Sequence, residues 1–382
     1  MNIRKIFFIC IICISFIHCK KDVPAPIIYN YPSNFSEIFE NFWNQMNSNY
    51  IYWDKDTTNW DQVYYIYKPL FAALDIKRSQ DIYTSIDYFK QITGGLFDNH
   101  YIIQFTDSAV TGNYIYPALN RKLISSNFHS PYSYQSIDTN YLDPDFYSGF
   151  YITSDQHRLI LLSGTIQKSI LYFNCNEFAL EEAFLSPGNN SAKNVLQYFF
   201  RQLNNPSIKG IIIDVRNNPG GNITDLNFFI GHFIDKPLHF GFSRYKSGIG
   251  RLDFTPWINA TILPQLESKA FMRPLVVLAD NYTVSLAEAV TMAIKVVPKG
   301  KFIGEATWGA TGPITANAVY NDGQFIIPGF LSVYTSSSEF KYINGKSYEQ
   351  AGFPPDIAVP FNISALNSGD DQILDKAISS IN

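Results

Sequence analysis

The chain has 382 residues, with 29 basic and 33 acidic side chains and a formal net charge of −4 at pH 7. It lacks the basic excess that contacts with phosphates need, so nucleic acid is not expected as a partner. Hydrophobic residues make up 46% of the chain and charged residues only 16%, whereas disordered chains are rich in charge and poor in aromatic residues. We therefore expect one large folded domain with an appendage, or two domains.

The N-terminus has the features of an export signal. Arg4 and Lys5 precede an apolar run over 6–17, which as a helix spans about 18 Å and is too short for a bilayer core of about 30 Å. Residues 1–18 are therefore interpreted as a signal peptide. The segment that ends in His18-Cys19 resembles a bacterial lipoprotein cleavage box. This implies that Cys19 carries a lipid anchor and that the protein is a lipoprotein of the periplasm or outer membrane; cleavage without a lipid is the alternative.

The segment after Cys19 changes from extended to helical. Residues 19–33 contain two closely spaced prolines and are predicted to form a tether, and Cys175 is the other cysteine of the mature chain, so no disulfide framework is expected. Apolar side chains then recur at helical spacing in three successive segments. Residues 34–110 are therefore predicted to form an N-terminal helical subdomain. The three helical segments lie over 35–46, 60–74 and 82–92.

The chain beyond residue 110 is predicted to contain an insertion, a core and a tail. Residues 111–165 have the pattern of short strands and polar turns, which predicts a strand-rich insertion. Strands and helices then alternate, which indicates an α/β core over 166–365. Segments on either side of Asp322-Gly323 predict a hairpin, and residues 366–382 are predicted to form a C-terminal helix or tail.

A glycine-rich turn follows the buried strand that ends at Asp214. The adjacent glycines Gly220 and Gly221 can direct backbone N–H groups at one point, as in an anion-binding nest. A tight strand-to-helix connection is the other interpretation, and spacing alone favours it. The turn lacks both the Gly-Lys-Ser/Thr of a phosphate loop and a dinucleotide fingerprint, and no cofactor is expected.

A second segment of interest leads from a strand into Ser285. This serine stands where a helix is predicted to begin, so its hydroxyl is either a helix N-cap or a nucleophile at the positive end of the helix. Both interpretations stay open on this segment alone.

Four motifs in order resemble the carboxyl-terminal processing (tail-specific) serine protease family. The resemblance implies a ClpP/crotonase-like spiral core of ββα units, with Ser285 as nucleophile. It further implies an oxyanion hole built from the backbone N–H groups of Gly220, Gly221 and Leu286. A PDZ module is expected to be absent or degenerate. The motifs are the turn Asp214–Gly221, the helix start Ser285-x-x-Glu288, the segment Phe302–Gly309 and the segment Tyr348–Asp356.

One departure from that family concerns the catalytic base. Ala310 occupies the place of the family's lysine, so a Ser–Lys dyad is not available. The segment Leu96–His100 resembles the histidine segment of the tricorn-core branch, which uses Ser, His and Glu. That resemblance implies that His100 is the general base and that Glu349 orients its imidazole and stabilises the protonated form. A lone histidine is otherwise most often a surface residue, and a loop glutamate is most often solvated.

The sequence thus predicts a serine endopeptidase or C-terminal processing peptidase of the cell envelope that acts on peptides or proteins through an acyl-enzyme. The alternative is a non-catalytic protein on the same scaffold that binds peptides or hydrophobic ligands, which the missing lysine and the high aromatic content favour. The remaining histidines lack metal-binding spacing, so no metal is expected. The oligomeric state does not follow from the sequence.

Overall fold

A computed structural model describes residues 31–126, 128–315 and 320–381 of the chain. The predicted signal peptide (1–18), the predicted lipid attachment at Cys19 and all but the end of the tether (19–33) lie outside the described residues. Within the described ranges, no helix is long and apolar enough to cross a bilayer.

The described chain forms ten α-helices and fourteen β-strands. The helices are α1 (Phe35–Asn49), α2 (Trp60–Ala72), α3 (Ser79–Thr93), α4 (Pro117–Leu123), α5 (Gln135–Asp138), α6 (Leu180–Leu185), α7 (Ser191–Gln202), α8 (Leu286–Val296), α9 (Ile363–Asn367) and α10 (Gln372–Ile381). The strands are β1 (Ile102–Phe105), β2 (Tyr114–Ile115), β3 (Tyr147–Ile152), β4 (Arg158–Ile166), β5 (Ile170–Cys175), β6 (Gly210–Asp214), β7 (Leu238–Tyr245), β8 (Ile258–Ile262), β9 (Leu275–Ala279), β10 (Gly300–Gly304), β11 (Gln324–Ile327), β12 (Leu331–Tyr334), β13 (Ser338–Tyr342) and β14 (Ile357–Ala358).

The three predicted N-terminal helices are present as α1, α2 and α3. The side chain of Asn34 accepts a hydrogen bond from the N–H of Glu37, which satisfies one of the free donors at the start of α1. The helices bury a core of aromatic side chains that they share with the distant hairpin β11–β12, through Phe325, Leu331 and Val333. The helical unit is therefore completed by a segment more than two hundred residues further along the chain.

A four-stranded antiparallel sheet in the order β11-β12-β1-β2 connects this helical unit to the rest of the molecule. The predicted hairpin is present, but its turn lies over 328–330 and not at Asp322-Gly323. Gly329 has φ +75° and supplies the left-handed residue of that turn. Asp322-Gly323 instead leads into β11, where the carbonyl of Gly323 accepts a hydrogen bond from the N–H of Thr335.

The α/β core is a seven-stranded sheet in the order β14-β10-β9-β6-β5-β4-β3. Five strands of this sheet are parallel to one another, namely β14, β10, β9, β6 and β5. The other two, β3 and β4, are antiparallel additions. The sheet therefore begins at Tyr147, inside the predicted insertion, and the rest of that insertion includes the helices α4 and α5. A third sheet has the order β13-β7-β8. Because the core strands are parallel, the loops that follow β6, β9 and β10 meet at one edge of the sheet, which is where α/β folds bind their ligands.

A buried ionic cluster lies at the same edge. Arg216, just beyond β6, donates hydrogen bonds to Asp214 at 2.9 Å, to Asp371 at 2.7 Å and to Asp138 at 3.4 Å. All four side chains are almost completely buried. The cluster ties the core sheet to α5 and to the start of α10, and it neutralises part of the carboxylate charge with one guanidinium. The ion pair with Arg216 in this buried cluster indicates a structural role for Asp214.

Candidate active site

Ser285 lies at the sharp turn between β9 and α8. Its backbone angles are φ 58° and ψ −120°, a conformation that costs a non-glycine residue about 1–3 kcal/mol. The bond from the N–H of Val284 to the carbonyl of Asn218, at 2.9 Å, and the bond from the N–H of Ser285 to Glu288, at 3.0 Å, hold this turn. Since α8 has 11 residues, the Ser285 hydroxyl stands at the positive end of a helix of ordinary length.

The glycine turn after β6 packs directly against Ser285. A Cβ atom at Gly220 would lie 2.8 Å from the Cβ of Ser285 and 2.9 Å from the N of Leu286, and the φ of Gly220 is +103°, so this position requires glycine. The N–H of Gly220 donates to the Asn218 side chain at 2.8 Å. The N–H groups of Gly221 and Leu286 have no hydrogen-bond acceptor among the described residues. Two of the three predicted oxyanion donors are therefore available, and Gly220 serves to shape the turn.

His100 and Ser285 line the same open cleft. In the described part of the chain no hydrogen bond joins the Ser285 hydroxyl to the His100 ring. Burial lowers the pKa of His100, whereas the charge of Asp98 and the backbone of Gly312 oppose this. A neutral imidazole near pH 7 can accept a proton from a serine. The other walls of the cleft are Gly221, Ile223, Leu286, Ala289, Ala310, Thr311, Pro313 and Ile314.

Glu349 lies behind the turn that carries Gly312, and not against the imidazole ring. Its carboxylate accepts hydrogen bonds from the N–H groups of Asn99 at 2.7 Å, Thr311 at 2.7 Å and Gly312 at 3.0 Å. The hydroxyls of Tyr52, at 3.2 Å, and Thr311, at 3.1 Å, donate to it as well. No hydrogen bond joins Glu349 to the imidazole ring within the described residues. The direct contact expected from the sequence is absent because these five donors occupy the carboxyl group, which instead holds the backbone beside His100 and at Gly312.

Glu288 holds the other half of the same turn. It accepts hydrogen bonds from the Thr307 hydroxyl at 2.5 Å and from the N–H groups of Gly309 and Ala310, both at 2.8 Å. Burial raises the pKa of Glu288, and burial, followed by the charge of Asp98, raises the pKa of Glu349 to about 8. The turn 307–312 is thus fixed from behind by two buried carboxyl groups, one near Ser285 and one near His100.

Ala310 lies on the wall of the cleft, as its place in the sequence predicted. It is fully buried and forms a small apolar cluster with Trp308 and with Ala118 of α4. The same helix contacts the histidine segment, because Arg121 donates to the Asn99 side chain at 2.8 Å. The predicted insertion therefore covers Ala310.

Two residues beside His100 were not identified from the sequence. Asp98 lies in the histidine segment Leu96–His100, but the sequence gave it no role. Ser336 lies in a run of serine and threonine residues over 335–338 that carries no periodic signal. Both are fully buried. The Ser336 Oγ lies 3.5 Å from the Nδ1 of His100 and 2.8 Å from an oxygen of Asp98. The spacing Asp-x-His was the one signal that could have identified Asp98.

The part of the chain that carries the glycine turn and Ser285 matches a known protein family. The model of peptidase family S41 matches residues 169–359, which is half of the chain. The chain belongs to peptidase family S41. The S41 match includes the glycine turn, Ser285, Ala310 and Glu349, and it begins after His100 and Asp98.

Curated S41 relatives align with parts of the chain. The carboxy-terminal processing protease CtpA of Bacillus subtilis is 27% identical over 154 residues, which are 40% of this chain and 31% of CtpA. The tricorn protease of Thermoplasma acidophilum is 24% identical over 187 residues, which are 49% of this chain and 15% of tricorn. The alignments thus span less than a third of the length of either relative.

Solved structures of similar fold cover nearly the whole chain. A putative peptidase from Parabacteroides merdae superposes with a TM-score of 0.67 at 22% identity, over 92% of this chain and 97% of that one. Mature CPAF superposes with a TM-score of 0.60 at 10% identity, over 91% of this chain and 96% of CPAF. At these identities the likeness concerns the fold, an α/β S41 peptidase fold preceded by helices.

The described residues contain no group of three or more histidine, cysteine, aspartate or glutamate side chains arranged to hold a metal ion. The cleft offers the hydroxyl of Ser285, the ring of His100 and the N–H groups of Gly221 and Leu286.

Proposed function

We propose that this S41 chain is a serine endopeptidase or C-terminal processing peptidase that works through an acyl-enzyme. In this proposal Ser285 is the nucleophile, His100 is the general base, and the N–H groups of Gly221 and Leu286 hold the oxyanion. The observation that carries the proposal is the strained Ser285 at the positive end of α8, in one cleft with a histidine and two unpaired N–H groups.

The proposed reaction begins when His100 takes the proton of the Ser285 hydroxyl. The oxygen attacks the peptide carbonyl, and the negative oxygen that forms is held by the two free N–H groups. Loss of one such donor costs about 3–4 kcal/mol in comparable sites. The protonated imidazole then gives its proton to the leaving amine, and a water molecule releases the acyl group by the same steps in reverse. The Ser285 hydroxyl and the ring do not hydrogen-bond in the free protein, and such contacts often tighten only when substrate binds.

Glu349 contributes to this proposal as the residue that holds the turn. It accepts hydrogen bonds from the N–H of Asn99, the residue before His100, and from the N–H of Gly312 on the wall of the cleft. Its role in orienting the imidazole, expected from the sequence as a direct contact, is thus proposed to be indirect. The buried Ala310 and the apolar cluster around it are consistent with a histidine rather than a lysine as base.

The proposed substrate is an extended peptide or protein segment that enters the cleft between Ile223 and Ile314. Ile223 is 40% exposed and Ile314 is 39% exposed, and both side chains give the walls of the cleft an apolar surface. We further propose the ClpP/crotonase-like spiral for the core and a reduced insertion in place of a PDZ module. The exported, lipid-anchored state at Cys19 also remains a proposal.

The proposal is tested by incubating the purified protein with an unfolded protein substrate and identifying the new chain ends by mass spectrometry. We expect cleavage by the wild-type protein and none by Ser285→Ala. Tight binding of peptides with equal failure to cleave by both proteins would instead favour the alternative of a non-catalytic binding protein.

A further inference from the structure

We infer that Asp98, acting through the hydroxyl of Ser336, is the carboxylate that positions His100. The inference rests on the proposed function of His100 as general base, and it assigns to Asp98 the role that the sequence gave to Glu349. Asp98 and Ser336 are positioning residues in this account, because neither lines the cleft.

The geometry forms a chain of contacts behind the ring. The Nδ1 of His100 lies 3.5 Å from the Oγ of Ser336, and that Oγ lies 2.8 Å from Asp98 and 3.1 Å from the carbonyl of Gly312. A hydroxyl has one proton and two lone pairs, so Ser336 can donate to Asp98 while it accepts from Nδ1. Nδ1 therefore faces the buried side, and Nε2 is left for the cleft that Ser285 shares.

Four hydrogen bonds hold the carboxyl group of Asp98. One oxygen accepts from the backbone N–H of His100 at 2.8 Å and from the Ser336 hydroxyl at 2.8 Å. The other accepts from the Thr335 hydroxyl and from the N–H of Ser336, both at 2.7 Å. Four donors occupy its lone pairs, and each donor would lose its acceptor if the carboxyl were replaced. Asp98 also binds the backbone of both segments that flank the ring, so the same group sets its position and supplies charge.

The other charged groups near the ring are less well placed for this role. Glu349 and Glu288 direct their oxygens at the backbone of the turn 307–312, as described above. Arg121 of α4 is held by Asn99 and by the carbonyl of Gly94 at 3.1 Å. Of these groups, Asp98 is the one whose charge acts on the titration of the ring, in the direction that favours the imidazolium. The imidazolium forms when His100 takes the serine proton, so stabilising it lowers the barrier to attack.

The test compares Asp98→Asn with the matched change Glu349→Gln, since both replace a buried carboxyl beside the site with an amide. The ring of His100 is titrated by NMR in protein labelled with 15N-histidine, and its signal is assigned by its loss in His100→Ala. We expect Asp98→Asn to lower the pKa of the ring by about one unit, which is the lower end of the range for the loss of a neighbouring opposite charge. Glu349→Gln is expected to shift it by less than a third as much. The acidic limb of the pH profile of kcat/KM should move with the ring.

Ser336→Ala tests the hydroxyl separately and leaves the carboxylate of Asp98 in place. We expect kcat to fall about tenfold, the value of one hydrogen bond to a charged group, with KM unchanged. Ser337→Ala is the control, because the Ser337 hydroxyl bonds to the backbone of Thr315 and not to the histidine segment. It should behave as the wild-type protein.

The inference is overturned if Glu349→Gln lowers the pKa of the ring as much as Asp98→Asn, or if Ser336→Ala leaves kcat unchanged. Should Asp98→Asn fail to fold, the result with Ser336→Ala decides alone. Since the ring titration requires no turnover, it also separates the two proposals: an inert wild-type protein whose ring responds as expected would contradict the peptidase and leave the positioning intact.

Discussion

Two groups of buried carboxyl side chains lie at the same edge of the core sheet and differ in what balances them. Asp138, Asp214 and Asp371 surround the guanidinium of Arg216. The second group forms no ion pair among the described residues, and its oxygens are occupied by backbone N–H groups and hydroxyls. Its members are Asp98, Glu288 and Glu349, which stand around the histidine segment and the turn 307–312.

The difference suggests a division of labour between structure and chemistry. A guanidinium with three carboxylates fixes three chain segments relative to one another, and removing it would leave uncompensated buried charge. Carboxyl groups held by neutral donors have no cation fixed beside them. Where such a group is ionised, its negative potential can act on a charge that appears during a reaction. An imidazolium next to Ser285 would be such a charge.

The largest effect on activity is expected from changes at Ser285 and His100, which lie beside the second group of carboxyl side chains. Ser285→Ala and His100→Ala should each lower peptidase activity by about 10⁴-fold or more, and the double variant should be little worse than either, because such residues act as one unit. Rates of peptide hydrolysis on folded, quantified protein measure this. His157→Ala is the control, since that side chain is 70% exposed and pairs with Glu177 away from the cleft. Near-normal activity in His100→Ala would show that the base lies elsewhere.

The first group is tested by Arg216→Met, which keeps a long side chain and removes the cation. We expect the free energy of unfolding to fall by about 3–5 kcal/mol, because three buried carboxylates lose their partner. Urea unfolding measures this loss. Lys90→Met removes a cation from the exposed pair with Asp87 and should leave stability unchanged within the error of the measurement. A small loss in Arg216→Met would mean that the cluster does not hold the structure together.

The variant Ala310→Lys tests whether a cation can be placed beside the second group of buried carboxyl side chains. The lysine would enter the apolar cluster of Trp308 and Ala118, so we expect stability to fall by about 1–3 kcal/mol and activity not to rise. Ala310→Met, of similar volume and without charge, separates overpacking from the effect of the amine. A gain in activity in Ala310→Lys that Ala310→Met lacks would contradict the histidine-based arrangement.

The most gradual effect, spread over several pH units, is a dependence of stability on pH through Glu349. Burial, and next the charge of Asp98, raise the pKa of Glu349 to about 8, above its value in the unfolded chain. The folded protein therefore binds this proton more tightly than the unfolded protein does, so its stability should decrease as pH rises from about 4.5 to 8. Unfolding curves across that range should show this slope, and Glu349→Gln should remove part of it. An equal slope in both proteins would contradict the assignment.

Much of the fold followed from the sequence because its signals are local. The helical spacing of apolar side chains over 35–46 predicted α1. The buried strand that ends at Asp214 and the glycines after it predicted β6 and its turn. The hairpin turn was misplaced because Pro328-Gly329 competes with Asp322-Gly323, and local composition does not choose between them. The two strands of the insertion that join the core sheet depend on long-range pairing, which periodicity does not report.

The candidate site was predictable only where chemistry and motif coincide. Ser285 and His100 were identified by their motifs, and the structure brings both to one cleft. Ser336 lies 236 residues from His100 in the sequence and meets it only through the fold. Glu349 was assigned to the ring by the resemblance to the tricorn-core branch, but competition from five nearer donors directs it elsewhere. Such competition is decided by packing and is invisible in the sequence.

The rate of labelling by a fluorophosphonate probe as a function of pH tests the central claim most directly, because it reports an activated serine without knowledge of the substrate. We predict that the wild-type protein is labelled at Ser285 alone, that the rate falls as pH drops through the pKa of the His100 ring, and that His100→Ala is labelled at a small fraction of the wild-type rate. No labelling of the wild-type protein, or labelling of His100→Ala at the wild-type rate, would contradict the account.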